Sequence, residues 1–148
     1  MVIENIVISG GGINIMSQTG ALMYLEKKGL LKNVTTWAGC SSGAILCFMI
    51  SIGFSAYDID YFMSLSSSFD PTRKDMANCF EKFGIDDGSG YQTILTEILS
   101  KKLGCTDITF EELKHKTGKN LFISVSCIND ENVAKYYSSD LTPKELVM

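Results

Sequence analysis

The sequence predicts an α/β fold, a mostly parallel sheet flanked by helices, on three observations. Short β-branched runs at residues 3–9 and 34–38 each end abruptly in glycine, as buried strands entering tight turns do. Longer helical stretches, at residues 17–28 and 42–52, follow those turns. Strand, glycine turn and helix, repeated in that order, is the pattern of parallel βαβ units. A length of 148 residues suits a single hydrophobic core.

Each element has its own local reason. Residues 3–9 form a strand that runs into Gly10, Gly11 and Gly12. The helix over residues 17–28 stops at Gly29, and the second strand stops at Gly39. From Ser42 through Ile52 the chain is apolar on every face, which predicts a helix buried in the domain centre and closed by Gly53. Residues 57–65 read as a helix, and residues 66–90, polar and rich in turn formers, as a mobile loop or lid. Tyr91, Ile94, Leu95, Ile98 and Leu99 share one helical face, a core stripe. Thr109-Phe110-Glu111-Glu112 is a capping box that opens a short helix. Residues 121–128 and 133–137 read as further strands, and Asp140 as a residue that helps begin a last helix before Pro143.

Composition narrows the function classes. A hydrophobic content of 45% with 20% charge describes an ordered globular protein. The net charge of -4 argues against nucleic acid as a partner, because a duplex binder shows a basic stripe. The densest cationic cluster, residues 114–119, reads as a solvated helix end. Five cysteines, an odd number without a C-x-x-C pair, make neither a disulfide framework nor a metal site. The acidic start at Glu4 and a short apolar run do not fit a signal peptide. The longest apolar stretch, residues 44–52, is too short for a bilayer crossing, which takes about 20 residues. The expectation is an intracellular, cytoplasmic protein whose membrane contacts are peripheral.

The chemistry concentrates in Gly39-Cys40-Ser41-Ser42-Gly43, a G-x-S-x-G between a strand and an all-apolar helix. That is the setting of a nucleophile elbow, where a serine sits on a strained turn and flanking glycines avoid side-chain clashes. The helix that follows Ser41 aims free N–H groups at a developing oxyanion. Gly10, Gly11 and Gly12 expose further backbone N–H groups after the first strand, as an oxyanion hole requires. A Rossmann fingerprint would need glycine where Ile15 stands and an acid where Trp37-Ala38-Gly39 stands, and a P-loop would need an absent Gly-Lys-Ser/Thr. A Ser-His-Asp triad would have to use His115, the single histidine, which reads as a surface residue between Lys114 and Lys116.

These residues resemble a known family. Ser9-Gly10-Gly11-Gly12, a helix carrying Gly20-Ala21-Leu22, and Gly39-Cys40-Ser41-Ser42-Gly43-Ala44 are similar to the patatin-like phospholipases. Weaker similarity continues through Phe110-Glu111-Glu112-Leu113, Gly118-Lys119-Asn120-Leu121 and residues 136–143. The resemblance implies a three-layer α/β architecture and lipid acyl hydrolysis by a Ser-Asp dyad, without histidine, metal or cofactor. It implies Ser41 as nucleophile, an oxyanion hole at Gly10, Gly11 and Gly12, and an elbow shaped by Gly39, Cys40, Ser42 and Gly43. The implied partner is a lipid ester, presented at a membrane or lipid-droplet surface.

Two departures stand out. Asn14 and Ile15 replace the family's basic residue and glycine, a change expected to weaken oxyanion or head-group binding and to restrict the loop. The family's catalytic Asp lies in an Asp-Gly pair beyond the segment matched by residues 136–143, whereas Asp87-Gly88 falls in the polar middle and reads as a turn former. Residues 1–148 are therefore expected to be the N-terminal portion of one patatin-like domain, truncated before its base. Such a truncation would expose apolar surface and favour oligomerisation. The alternative reading is an inactive truncated domain that binds lipid or a protein partner.

Overall fold

In the computed structural model of the chain, the described residues are 2–65, 88–127 and 134–147. The predicted loop or lid at residues 66–90 falls almost entirely outside them, as do Asp87 and the end of the strand expected over residues 121–128. The strands are β1 (Asn5–Ile8), β2 (Thr36–Cys40), β3 (Asn120–Ser126) and β4 (Ala134–Ser138). The helices are α1 (Ile15–Lys27), α2 (Ser42–Ser51), α3 (Ala56–Leu65), α4 (Ser89–Leu103) and α5 (Phe110–Thr117), with a 3-10 turn at Gly12–Asn14 leading into α1.

The strands form one four-stranded sheet in the order β1-β2-β3-β4. β1, β2 and β3 are parallel, and β4 returns antiparallel to β3. The mostly parallel α/β sheet expected from the repeated strand–glycine–helix order is thus present. Its faces differ. Ile6, Trp37 and Leu121 share one row, with Ile8, Gly39 and Ile123 beside it, and this side carries the buried Ile8, Trp37 and Leu121. The other side holds Val7, Ala38 and Phe122 in register, where Val7 is 79% exposed.

α2 lies on the core side, packed against β2, β3 and β1. Its all-round apolar composition has the expected consequence, with Leu46, Cys47 and Met49 fully buried. Burial pushes the Cys47 thiol up to about 12, with the neighbouring Cys40 adding to the shift, so Cys47 behaves as a packing residue. The C-terminal carbonyls of α2 need partners, and the Lys119 ammonium donates to the Ile50 carbonyl at 2.6 Å. Lys119 therefore departs from the solvated helix end expected for residues 114–119: it is half-buried, and burial holds its pKa below the usual lysine value, partly offset by Glu26. Lys114, His115 and Lys116 are exposed as expected.

Among the described residues, the starts of α5 and α3 show side-chain capping. At α5 the Thr109 hydroxyl accepts from the Glu112 N–H at 3.2 Å, and the Glu112 carboxylate accepts from the Thr109 N–H at 2.9 Å. α3 has a second reciprocal pair that sequence reading missed, between Ser55 and Asp58, with both bonds at 3.0 Å. The helix predicted to follow Asp140 does not form: residues 139–141 are a turn. There the Asp140 carboxylate accepts from Lys114 at 2.8 Å and from Asn120 at 3.1 Å. The carbonyls of Pro143 and Glu145 accept the N–H groups of Glu111 and Phe110, so this segment serves the α5 terminus instead of starting a helix of its own.

Thr109→Ala should lower stability by about 1 kcal/mol, read as a lower urea midpoint at neutral pH. The Thr109 N–H, and secondarily its hydroxyl, hold the Glu112 carboxyl below the usual range. A carboxylate depressed by folding stabilises above its unfolded pKa, and that contribution is lost as pH falls through the folded value. The stability gap between wild type and Glu112→Gln is therefore expected to close on acidification from neutral pH to below the usual carboxylate range.

Candidate active site

The turn from β2 into α2 holds Ser41 at φ 50°, ψ -130°. No other non-glycine residue among those described has a positive φ. This backbone is costly for a side chain of L configuration, on the order of 1–3 kcal/mol, and tertiary packing enforces it. A Cβ on Gly39 would stand 2.6 Å from the Gly43 carbonyl carbon and oxygen and 2.7 Å from the Ala44 nitrogen. A Cβ on Gly43 would overlap the Ile8 carbonyl oxygen and approach the Ser9 oxygen at 2.6 Å. The end of β1, the end of β2 and the start of α2 thus meet main chain to main chain. Both glycines are needed for that approach.

The same contact brings the glycine loop beside Ser41. A Cβ on Gly10 would lie 3.1 Å from the Ser41 Cβ. The Gly10 N–H donates to the Cys40 Sγ at 3.1 Å, and the Gly11 N–H donates to the Ser42 Oγ at 2.9 Å. From the other side, the Gln18 amide donates to the Ser9 carbonyl at 2.8 Å. Gly12 opens the 3-10 turn with φ +52°, and its N–H has no hydrogen-bond partner among the described residues. The departure at residue 15 is accommodated: Ile15 takes helical angles of -49° and -34° at the start of α1 and is buried. Asn14 is exposed and makes no side-chain cap bond.

A cavity of about 390 Å³ opens here, lined by Gly12, Ile15, Ser41, Ser42, Ile45 and Tyr91. Its walls are mainly apolar, its floor is the elbow, and Ser41 is exposed to it. Among the described residues, the Ser41 hydroxyl has no hydrogen-bond partner and no Asp, Glu, His or Lys lines the cavity. His115 is exposed on α5, which packs on β3 and β4, and does not line the cavity. Among the described residues, no three His, Cys, Asp or Glu side chains gather in a metal-binding set. No helix among them is long and apolar enough to cross a membrane.

The predicted site residues Gly10, Gly11, Gly12, Gly39, Cys40, Ser41, Ser42 and Gly43 therefore meet in one place. Sequence reading missed the cavity walls. Ile45 had a readable signal, since it follows Ser41 by four positions and shares its side of α2. On the stripe expected to face the core, Ile98 and Leu99 are buried, but Tyr91 faces the cavity.

Chemically, the arrangement offers an exposed hydroxyl, an apolar cleft and, at the α2 N-terminus and Gly12, N–H groups without a partner among the described residues. Its closest chemical fit is acyl transfer. The chain is similar to several known proteins. The probable lipid hydrolase 463L of Invertebrate iridescent virus 6 is 29% identical over 126 residues, covering 81% of this chain and 42% of that protein. The uncharacterized protein R571 of Acanthamoeba polyphaga mimivirus is 27% identical, covering 98% of this chain and 48% of that protein. The chain thus spans less than half the length of these two relatives. Among solved structures, full-length ExoU of Pseudomonas aeruginosa, from its complex with SpcU, matches with a TM-score of 0.73 at 19% identity. That match covers 98% of this chain and 36% of ExoU. A second ExoU–SpcU structure matches with a TM-score of 0.71. At such identity these structures speak for the fold. The family described as patatin-like phospholipase matches residues 6–147, from within β1 to the last described residue, and the chain belongs to that family.

Proposed function

We propose that this protein is a serine lipid acyl hydrolase with Ser41 as its nucleophile. The observation that carries the reading is the strained backbone of Ser41 at the floor of an apolar cavity. The Ser41 Oγ attacks the carbonyl carbon of a fatty-acyl ester, the bond to the alcohol breaks, and an acyl-enzyme forms. Water then cleaves the acyl-enzyme and releases the fatty acid. N–H groups of the glycine loop and of Ser42 stabilise the tetrahedral oxyanion. Ile15, Ile45 and Tyr91 offer apolar contact to the acyl chain. The substrate class is the phospholipid or acylglycerol ester, met at a membrane or lipid-droplet surface from the cytoplasmic side.

The attack needs a base, and in a Ser-Asp dyad it is a carboxylate that takes the Ser41 proton and returns it to the leaving alkoxide. That carboxylate comes from outside the described residues. β1 pairs only with β2 among them, which leaves its other edge able to accept a further strand beside the glycine loop. An Asp-Gly after such a strand would reach Ser41, and residues 1–148 would then be the N-terminal portion of a single domain.

The test is labelling of the protein at its full natural length by a fluorophosphonate probe. Labelling that Ser41→Ala removes is expected; no labelling of the wild type would sink the proposal. A second reading, an inactive domain that binds lipid or a protein, is favoured by the lack of a base among the described residues that line the cavity. It predicts vesicle or partner binding without ester hydrolysis, and Ser41-dependent hydrolysis excludes it.

A further inference from the structure

We infer that Ser42 is a positioning residue: its hydroxyl, assisted by the Cys40 thiol, fixes the glycine loop so that Gly12 presents the oxyanion donor. The inference deepens the reading of Ser41 as nucleophile and rests on it. The two residues flanking Ser41 in the elbow each take up one loop N–H, Cys40 that of Gly10 and Ser42 that of Gly11. An N–H already committed to a protein acceptor is a poor donor to a new oxyanion, because the first bond must break before the second forms. Gly10 and Gly11 therefore act as the fixed part of the loop.

The donor falls to the next peptide. Gly12 lines the same cavity as Ser41 and Ser42, and its N–H is unpartnered among the described residues. The second donor is the Ser42 N–H, first in α2, where an N–H has no intrahelical acceptor. Ser42 thus acts at two atoms, offering its N–H to the substrate and its Oγ to the loop. Only Oγ is open to substitution, so the two roles separate experimentally.

The bond is well protected. Ser42 is 8% exposed, and its removal would leave the part-buried Gly11 N–H without an acceptor. Sulfur accepts weakly, so the Cys40 contact is the lesser of the two. On its far side the loop is held by Gln18, whose amide nitrogen would stand 3.1 Å from a Cβ on Gly11. Without the Ser42 bond the loop is tied on that side only, and an oxyanion donor displaced by about 1 Å can lose on the order of 100-fold in rate.

The experiment compares wild type, Ser42→Ala and Ser42→Thr at full natural length. It measures kcat and KM on a water-soluble p-nitrophenyl ester and the exchange rate of the Gly11 amide. Circular dichroism reports whether each variant folds. Ser42→Ala is expected to lower kcat by about 10- to 100-fold with KM nearly unchanged, and to speed Gly11 exchange by about tenfold. Ser42→Thr, which keeps the hydroxyl, should stay close to wild type in both. An unchanged kcat in Ser42→Ala, or a Ser42→Thr variant as slow as Ser42→Ala, overturns the oxyanion role. Unchanged Gly11 exchange in Ser42→Ala overturns the anchoring itself, whether or not the protein is active. A wild type that neither hydrolyses the ester nor takes the fluorophosphonate sinks the nucleophile reading and the oxyanion role with it.

Discussion

Ser41→Gly is expected to make the protein more stable while removing its reactivity. The backbone at Ser41 lies at φ 50°, ψ -130°, in the mirror-image β region that glycine enters freely. Relief of the strain is worth on the order of 1–3 kcal/mol, from which the greater chain entropy of unfolded glycine subtracts about 0.5–1 kcal/mol. The net gain should be about 1 kcal/mol, seen as a higher urea midpoint. Ester hydrolysis should meanwhile fall by a factor on the order of 10,000 or more, as it does when a nucleophilic serine is lost. Ser41→Ala removes the hydroxyl but keeps the Cβ and hence the strain, so it should lose activity without the stability gain. If both variants have wild-type stability, the positive φ stores no energy and the strained-elbow argument fails. If both retain hydrolysis, Ser41 is not the nucleophile.

Gly43→Ala should be among the most damaging single substitutions outside the core. Its Cβ would meet the carbonyl oxygens of Ile8 and Ser9, which are backbone atoms at the end of β1 and cannot rotate aside. α2 would have to lift from the sheet, with a cost of about 3 kcal/mol or more. Gly39→Ala meets the backbone of Gly43 and Ala44 at 2.6–2.7 Å and should behave alike. By contrast, Gly20→Ala in α1 meets nothing within 4 Å and should stabilise by about 0.5–1 kcal/mol through helix propensity. Urea titration of the three variants separates close-approach glycines from incidental ones. Equal stability for Gly43→Ala and Gly20→Ala would contradict the packing described at the elbow.

Much of this fold was readable before any coordinates. The β-branched runs, the glycines that end them and the unbroken apolar run after Ser41 were enough to place β1, β2 and α2 within about two residues, the usual scatter of element ends. The Thr109 capping box was legible because its two partners lie three residues apart. Asp140 was misread because its partners, Lys114 and Asn120, lie 26 and 20 residues away. A residue before a proline looks like a helix start when only neighbours are seen. Lys119 was misread for the same reason, as its acceptor Ile50 is 69 residues distant.

At the candidate site the division is sharper. G-x-S-x-G after a strand, with Gly10, Gly11 and Gly12 after another, needs only chain order and residue type to be read, because an elbow and a donor loop are local shapes. Which loop N–H remains free is a different kind of fact. It depends on Cys40 and Ser42 reaching Gly10 and Gly11 across 30 and 31 residues. Hydrogen-bond partners that far apart are chosen by strand register and by the contact between Gly43 and the end of β1. No run of letters carries that choice, since it exists only once β1 and β2 lie side by side.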